Sequence, residues 1–80
     1  MAAPPPPARP RKRSITIAGH ETSIALESVF WTALEEAAAA EQLPLNALIA
    51  RIDADRLERS PPANLASAIR QWLFLRALGS

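Results

Sequence analysis

The stretch HETSIALESVFWTALEE, His20 to Glu36, changes its repeat halfway along. From Glu21 to Leu26 the pattern alternates in twos. Thr22, Ile24 and Leu26 fall on one face, and Glu21, Ser23 and Ala25 on the other. Side chains of a β-strand alternate with that period, so this half reads as a strand with one buried face. From Phe30 onward the spacing becomes threes and fours. Phe30, Trp31, Leu34, Ala37 and Ala38 line one stripe of a helix, with Glu35, Glu36 and Glu41 turned to water. Neither glycine nor proline separates the two patterns. The strand therefore runs straight into the helix, which starts near Glu27 or Ser28. Either side chain can accept from the amides of a first turn, and Glu27 suits the positive end of the helix dipole.

A strand cannot satisfy its own backbone, so its partner matters. Upstream, Ser14 to Ala18 forms another β-type run, with Ile15 and Ile17 on one face. Gly19 and His20 stand between the two runs. One reading is a hairpin with Gly19 at the first position of a type II′ turn. The other is a single long strand with a bulge at Gly19. The run from Glu21 to Leu26 is the core element, and the first run stays open.

Downstream, Pro44 has no amide and disfavours the α conformation in Leu43, so the first helix stops before it. Proline is accepted at the start of a new helix. The second helix runs from Leu45 to about Arg59, with Leu45, Leu48, Ile49, Ile52 and Leu57 on its buried side. SPPAN, from Ser60, is a second break, and Asn64 is a good N-cap for a third helix from Leu65 to about Leu78. Leu65, Ala68, Ile69, Trp72, Leu73 and Leu75 or Arg76 form its stripe, Phe74 and Leu78 add apolar surface on a second side, and Trp72 and Phe74 read as core.

The opening MAAPPPPARPRKR is low in complexity. Proline favours extended polyproline II, so residues 1–12 read as a disordered, proline-rich basic arm and residues 13–80 as the folded domain. Arg9, Arg11, Lys12 and Arg13 put four positive charges on the first thirteen residues. The remainder holds five basic and eight acidic groups, a net of −3 beneath an overall +1. A basic arm on a mildly acidic body differs from a uniformly basic DNA binder.

Eighty residues form one small domain. Such a core is often reinforced by disulfides, a metal or oligomerisation. Cysteine is absent and His20 is the one histidine, so neither a disulfide nor a zinc site is expected, and no cofactor. The lack of cysteine fits a reducing cytoplasm. No run reaches the roughly 18 apolar residues of a membrane span. The N-terminus has prolines and arginines where a signal peptide has an apolar region. No nucleophile stands beside a base, and no glycine-rich phosphate loop exists, so no enzyme is expected. Ser23 with His20 is a chance pairing.

The segment TSIALESVFWTALEEAAAAEQLPLNALIARID resembles the ribbon-helix-helix family, the fold of the Arc and MetJ repressors. With RSITIAGH before it and NLASAIR after it, the chain looks like the subgroup of short stand-alone bacterial members, over roughly residues 13–76. The resemblance implies a mainly α fold with one short β-strand, two helices and an appended C-terminal helix, in an intertwined homodimer. One strand of each chain pairs antiparallel into a ribbon. A single strand with Ile24 and Leu26 on one face calls for such a neighbour, and the first two helices offer more apolar surface than one chain covers.

The resemblance further implies a dimeric DNA-binding protein, a transcriptional regulator with the ribbon in the major groove. Transferred by position, Glu21, Ser23 and Ala25 read bases, and Leu45, Asn46 and Ala47 at the start of the second helix grip a phosphate. Arg9, Arg11, Lys12 and Arg13 would add phosphate attraction from the arm. This strand departs from the family's usual readers, offering an acid, a small hydroxyl and a methyl. Pro44 stands where a serine or threonine would cap. The alternative is a homodimeric protein-interaction module, antitoxin-like or an adaptor, with a partner protein at the C-terminal helix and weak or no sequence-specific DNA binding.

Overall fold

The computed structural model describes residues 9–79. The tail reading falls mostly on residues 1–8, which lie outside them.

Two strands, β1 (Arg11–Ile17) and β2 (His20–Leu26), pair antiparallel within the chain, from Arg11 opposite Leu26 to Ile17 opposite His20. This corrects the single-strand expectation. β2 therefore has a hydrogen-bonding neighbour along one of its edges within the chain. Arg11 and Lys12, assigned above to the arm, are part of β1.

The turn also differs from the type II′ reading. Its two central residues are Ala18 and Gly19, with φ of 50° and 80°. Left-handed φ at both positions is the type I′ pattern, whose twist matches that of paired strands. A Cβ on Gly19 would meet nothing within 4 Å, so glycine serves the backbone angle there and not a close approach. Alanine at the other position is uncommon in this conformation, so Ala18-Gly19 is a weak turn signal.

Three helices cover one face of the hairpin: α1 (Ser28–Ala40), α2 (Leu45–Leu57) and α3 (Leu65–Gly79). α1 ends in a Schellman motif. The Leu43 amide donates to the Ala38 carbonyl at 2.9 Å and the Gln42 amide to that of Ala39 at 3.1 Å, with Gln42 left-handed at φ 57°. Leu43 then packs on the core just before Pro44. Asn64 caps α3 as expected, its Oδ1 accepting from the Ser67 amide at 2.9 Å.

Ile15, Ile24 and Leu26 of the hairpin meet Trp31, Leu34, Ala37 and Ala38 of α1, Leu48, Ile49 and Ile52 of α2, and Ile69 and Leu73 of α3 in one core. Leu26, Leu34, Ile49 and Ile69 are fully buried. One chain supplies this core, while Val29 on α1 and Phe74, Leu75 and Leu78 on α3 stay exposed. Two side chains read as buried are not: Leu57 is 60% exposed and Phe74 is 64% exposed. Leu57 is the last residue of α2, and Phe74 lies on the side of α3 away from Ile69 and Leu73. Trp72 is half-buried.

Candidate nucleic-acid interface

Strand alternation sorts the hairpin's side chains into two faces. Ile15, Ile24 and Leu26 point into the core. The opposite face carries two parallel rows. Glu21, Ser23 and Ala25 come from β2, and Thr16, Ser14 and Lys12 stand opposite them on β1. All are exposed except the half-buried Ala25. The structure therefore gathers the three ribbon residues singled out in the sequence on one polar surface. Ser14 and Thr16, which went unremarked, share it. The signal was their odd spacing against Ile15 and Ile17.

The register also sorts the backbone. Ile17 and His20 flank the two-residue turn and form the closing hydrogen-bonded pair. Counting outward from it, Glu21, Ser23 and Ala25 occupy non-hydrogen-bonded pairs, so their amides and carbonyls point away from β1. The sheet has two strands among the described residues, which leaves this edge of β2 open.

Four cations were assigned to an arm, and the structure separates them. Arg9 precedes β1 and is exposed. Lys12 lies on the outer polar face. Arg11 and Arg13 alternate to the helix side. Arg13 Nη1 donates to Glu35 Oε1 at 2.6 Å, and its guanidinium lies 4.6 Å from the centre of the Trp31 ring. The Arg11 carbonyl accepts from Trp31 Nε1 at 2.9 Å. Arg13 is thereby tied to the fold, and the basic stretch acts as a strand whose successive side chains serve opposite faces.

At the start of α2, Pro44 provides no side-chain cap. Its carbonyl accepts from the amides of Ala47 and Leu48, both at 3.1 Å. Of the three residues expected to grip phosphate, Ala47 thus has its amide engaged. Those of Leu45 and Asn46 have no partner among the described residues.

The strand-to-helix joint is held by a pair that the sequence did not reveal. Arg70 Nη2 donates to Glu27 Oε1 at 2.8 Å and to Oε2 at 3.2 Å, and Arg70 Nε donates to Oε1 at 3.1 Å. The Glu27 backbone amide, and then the Arg70 guanidinium, hold this carboxyl below the usual carboxylate range. Arg70 also sits 5.6 Å from the Phe30 ring centre. Among the described residues no three His, Cys, Asp or Glu side chains gather as a metal site would need, and no helix is long and apolar enough to cross a membrane.

A strand feeding a helix, a tight break and a second helix give the β-α-α order. The chain belongs to the ribbon-helix-helix domain family, whose sequence profile matches residues 10–77. Members are generally DNA-binding transcription regulators or antitoxins, usually dimeric, and are typically not enzymes. No curated protein and no solved structure matches the chain.

Proposed function

We propose that the protein is a dimeric DNA-binding regulator in which two copies of β2 pair along their open edges. Membership of the family supports this, and so does that edge. Unpaired amides and carbonyls are a template for another strand. β1 is the poorer partner, because Arg11, Lys12 and Arg13 would bring two runs of positive charge together. Glu21, Ser23 and Ala25 of both copies then form the centre of a polar surface that meets base edges in the major groove. Leu45 and Asn46 offer their amides to phosphate at the positive end of α2. Arg9 and Lys12 supply charge, while Arg11 and Arg13 alternate to the helix side.

The observation that carries this reading is the exposed, polar outer face of the hairpin with an open strand beside it. The test is a fluorescence-anisotropy titration of the full chain against a duplex selected from a random library, at several salt concentrations. Two cations per chain, four per dimer, predict a slope of log affinity against log salt of about −3.6. Binding that ignores salt, or no binding, counts against it.

A second surface supports the antitoxin-like reading. Phe74, Leu75 and Leu78 are each more than 60% exposed on α3. Apolar side chains clustered on one helix face mark a protein contact more often than a bare surface does.

A further inference from the structure

A sheet made from two such hairpins has twice as many strands as a ribbon built from one strand per chain, and the width has consequences. Neighbouring strands lie about 4.8 Å apart. Two hairpins joined through β2 make a four-stranded sheet whose outermost strand axes stand roughly 14 Å apart. The major groove is about 12 Å wide. The central pair of β2 strands fits inside it. The β1 strands fall over the groove walls, where the sugar-phosphate backbones run.

The side chains on β1 suit that position. Lys12, Ser14 and Thr16 are exposed hydrogen-bond donors. None of the three side chains has a protein partner among the described residues. An ammonium and two hydroxyls donate to phosphate oxygens whatever the base sequence. We infer that Lys12, Ser14 and Thr16 form a phosphate-contacting row on each side of the ribbon, and that base reading is confined to β2. This rests on the dimeric DNA-binding reading above. It adds two contact residues, Ser14 and Thr16, and turns Lys12 from part of an arm into a fixed point 4 residues before Thr16 on the same rigid strand. The row sets the register of the sheet across the groove, and Glu21, Ser23 and Ala25 then meet defined base pairs.

The test compares the selected duplex with a scrambled duplex of the same composition. Lys12→Ala is expected to weaken binding to both by the same factor. It should flatten the salt slope by about 1.8, since each dimer loses two phosphate contacts. Ser14→Ala and Thr16→Val are expected to weaken both duplexes equally, by about threefold to tenfold, with the slope unchanged. Glu21→Gln and Ser23→Ala should instead alter the ratio between the two duplexes. Thermal unfolding of each variant separates these effects from loss of fold. A changed ratio in the Lys12, Ser14 or Thr16 variants overturns the inference, as does unchanged affinity in all three. If the unaltered chain sediments as a dimer yet binds neither duplex, the DNA-binding reading itself fails and takes the row with it.

Discussion

Arg13 lies 4.6 Å from the centre of the Trp31 ring while its guanidinium reaches Glu35 at 2.6 Å. A cation three residues beyond Pro10 thus closes the hairpin onto α1. Arg13→Ala is expected to lower stability by about 1 kcal/mol, since both partners are half-exposed and the ion pair is screened. It should leave the salt slope of DNA binding unchanged. Urea unfolding and a salt titration check the two halves of this prediction.

Glu27 and Arg70 tie the start of α1 to α3. The Glu27 carboxyl is held below its ordinary value of 4.5, so it contributes stability above that pH. The contribution is lost as pH falls below 4.5 through the lower, folded value. Glu27→Gln should therefore be less stable than the natural chain near pH 7, with the difference shrinking as the solution is acidified. Urea midpoints at pH 7 and below pH 4 measure it. A constant gap would show that the pair contributes nothing through its charge.

The turn offers a cleaner comparison. Ala18 holds φ 50° where a side chain is strained. Ala18→Gly or Ala18→Asn is expected to raise stability by about 0.5–1 kcal/mol. Gly19→Ala should lower it by about 1 kcal/mol even though the space for a methyl is open. Thermal midpoints of the three variants decide whether backbone angle or packing governs this position.

Neighbouring residues of α3 should behave oppositely. Leu73 is buried and Phe74 is 64% exposed. Leu73→Ala is expected to cost about 2–5 kcal/mol, and Phe74→Ser no more than about 0.5 kcal/mol. Denaturant unfolding of the pair distinguishes the core side of the helix from the side available to a partner.

Much of this architecture was legible in residue spacing. The alternation from Thr22 to Leu26 gave the inward face of β2, and the stripe Trp31, Leu34, Ala37 and Ala38 is buried as read. Asn64 and Pro44 marked the starts of α3 and α2 because capping and proline chemistry act locally. What escaped depends on distance along the chain. β1 was obscured because its first three residues are cations, which look like a tail until Trp31 and Glu35 are brought beside them. The Glu27–Arg70 pair joins residues 43 apart and leaves no local pattern. Phe74 was misread because α3 has apolar residues on both sides, and periodicity alone cannot say which side the core takes.

The open edge of β2 can be probed at single residues. Amide hydrogen exchange reports whether Glu21, Ser23 and Ala25, whose backbone groups point away from β1, have found acceptors in solution. Pairing of two copies predicts slow exchange at these three amides, faster on dilution, while Lys12, Ser14 and Thr16 on the outer edge of β1 exchange quickly throughout. Exchange at Glu21, Ser23 and Ala25 as fast as at the β1 edge, at every concentration, would contradict it.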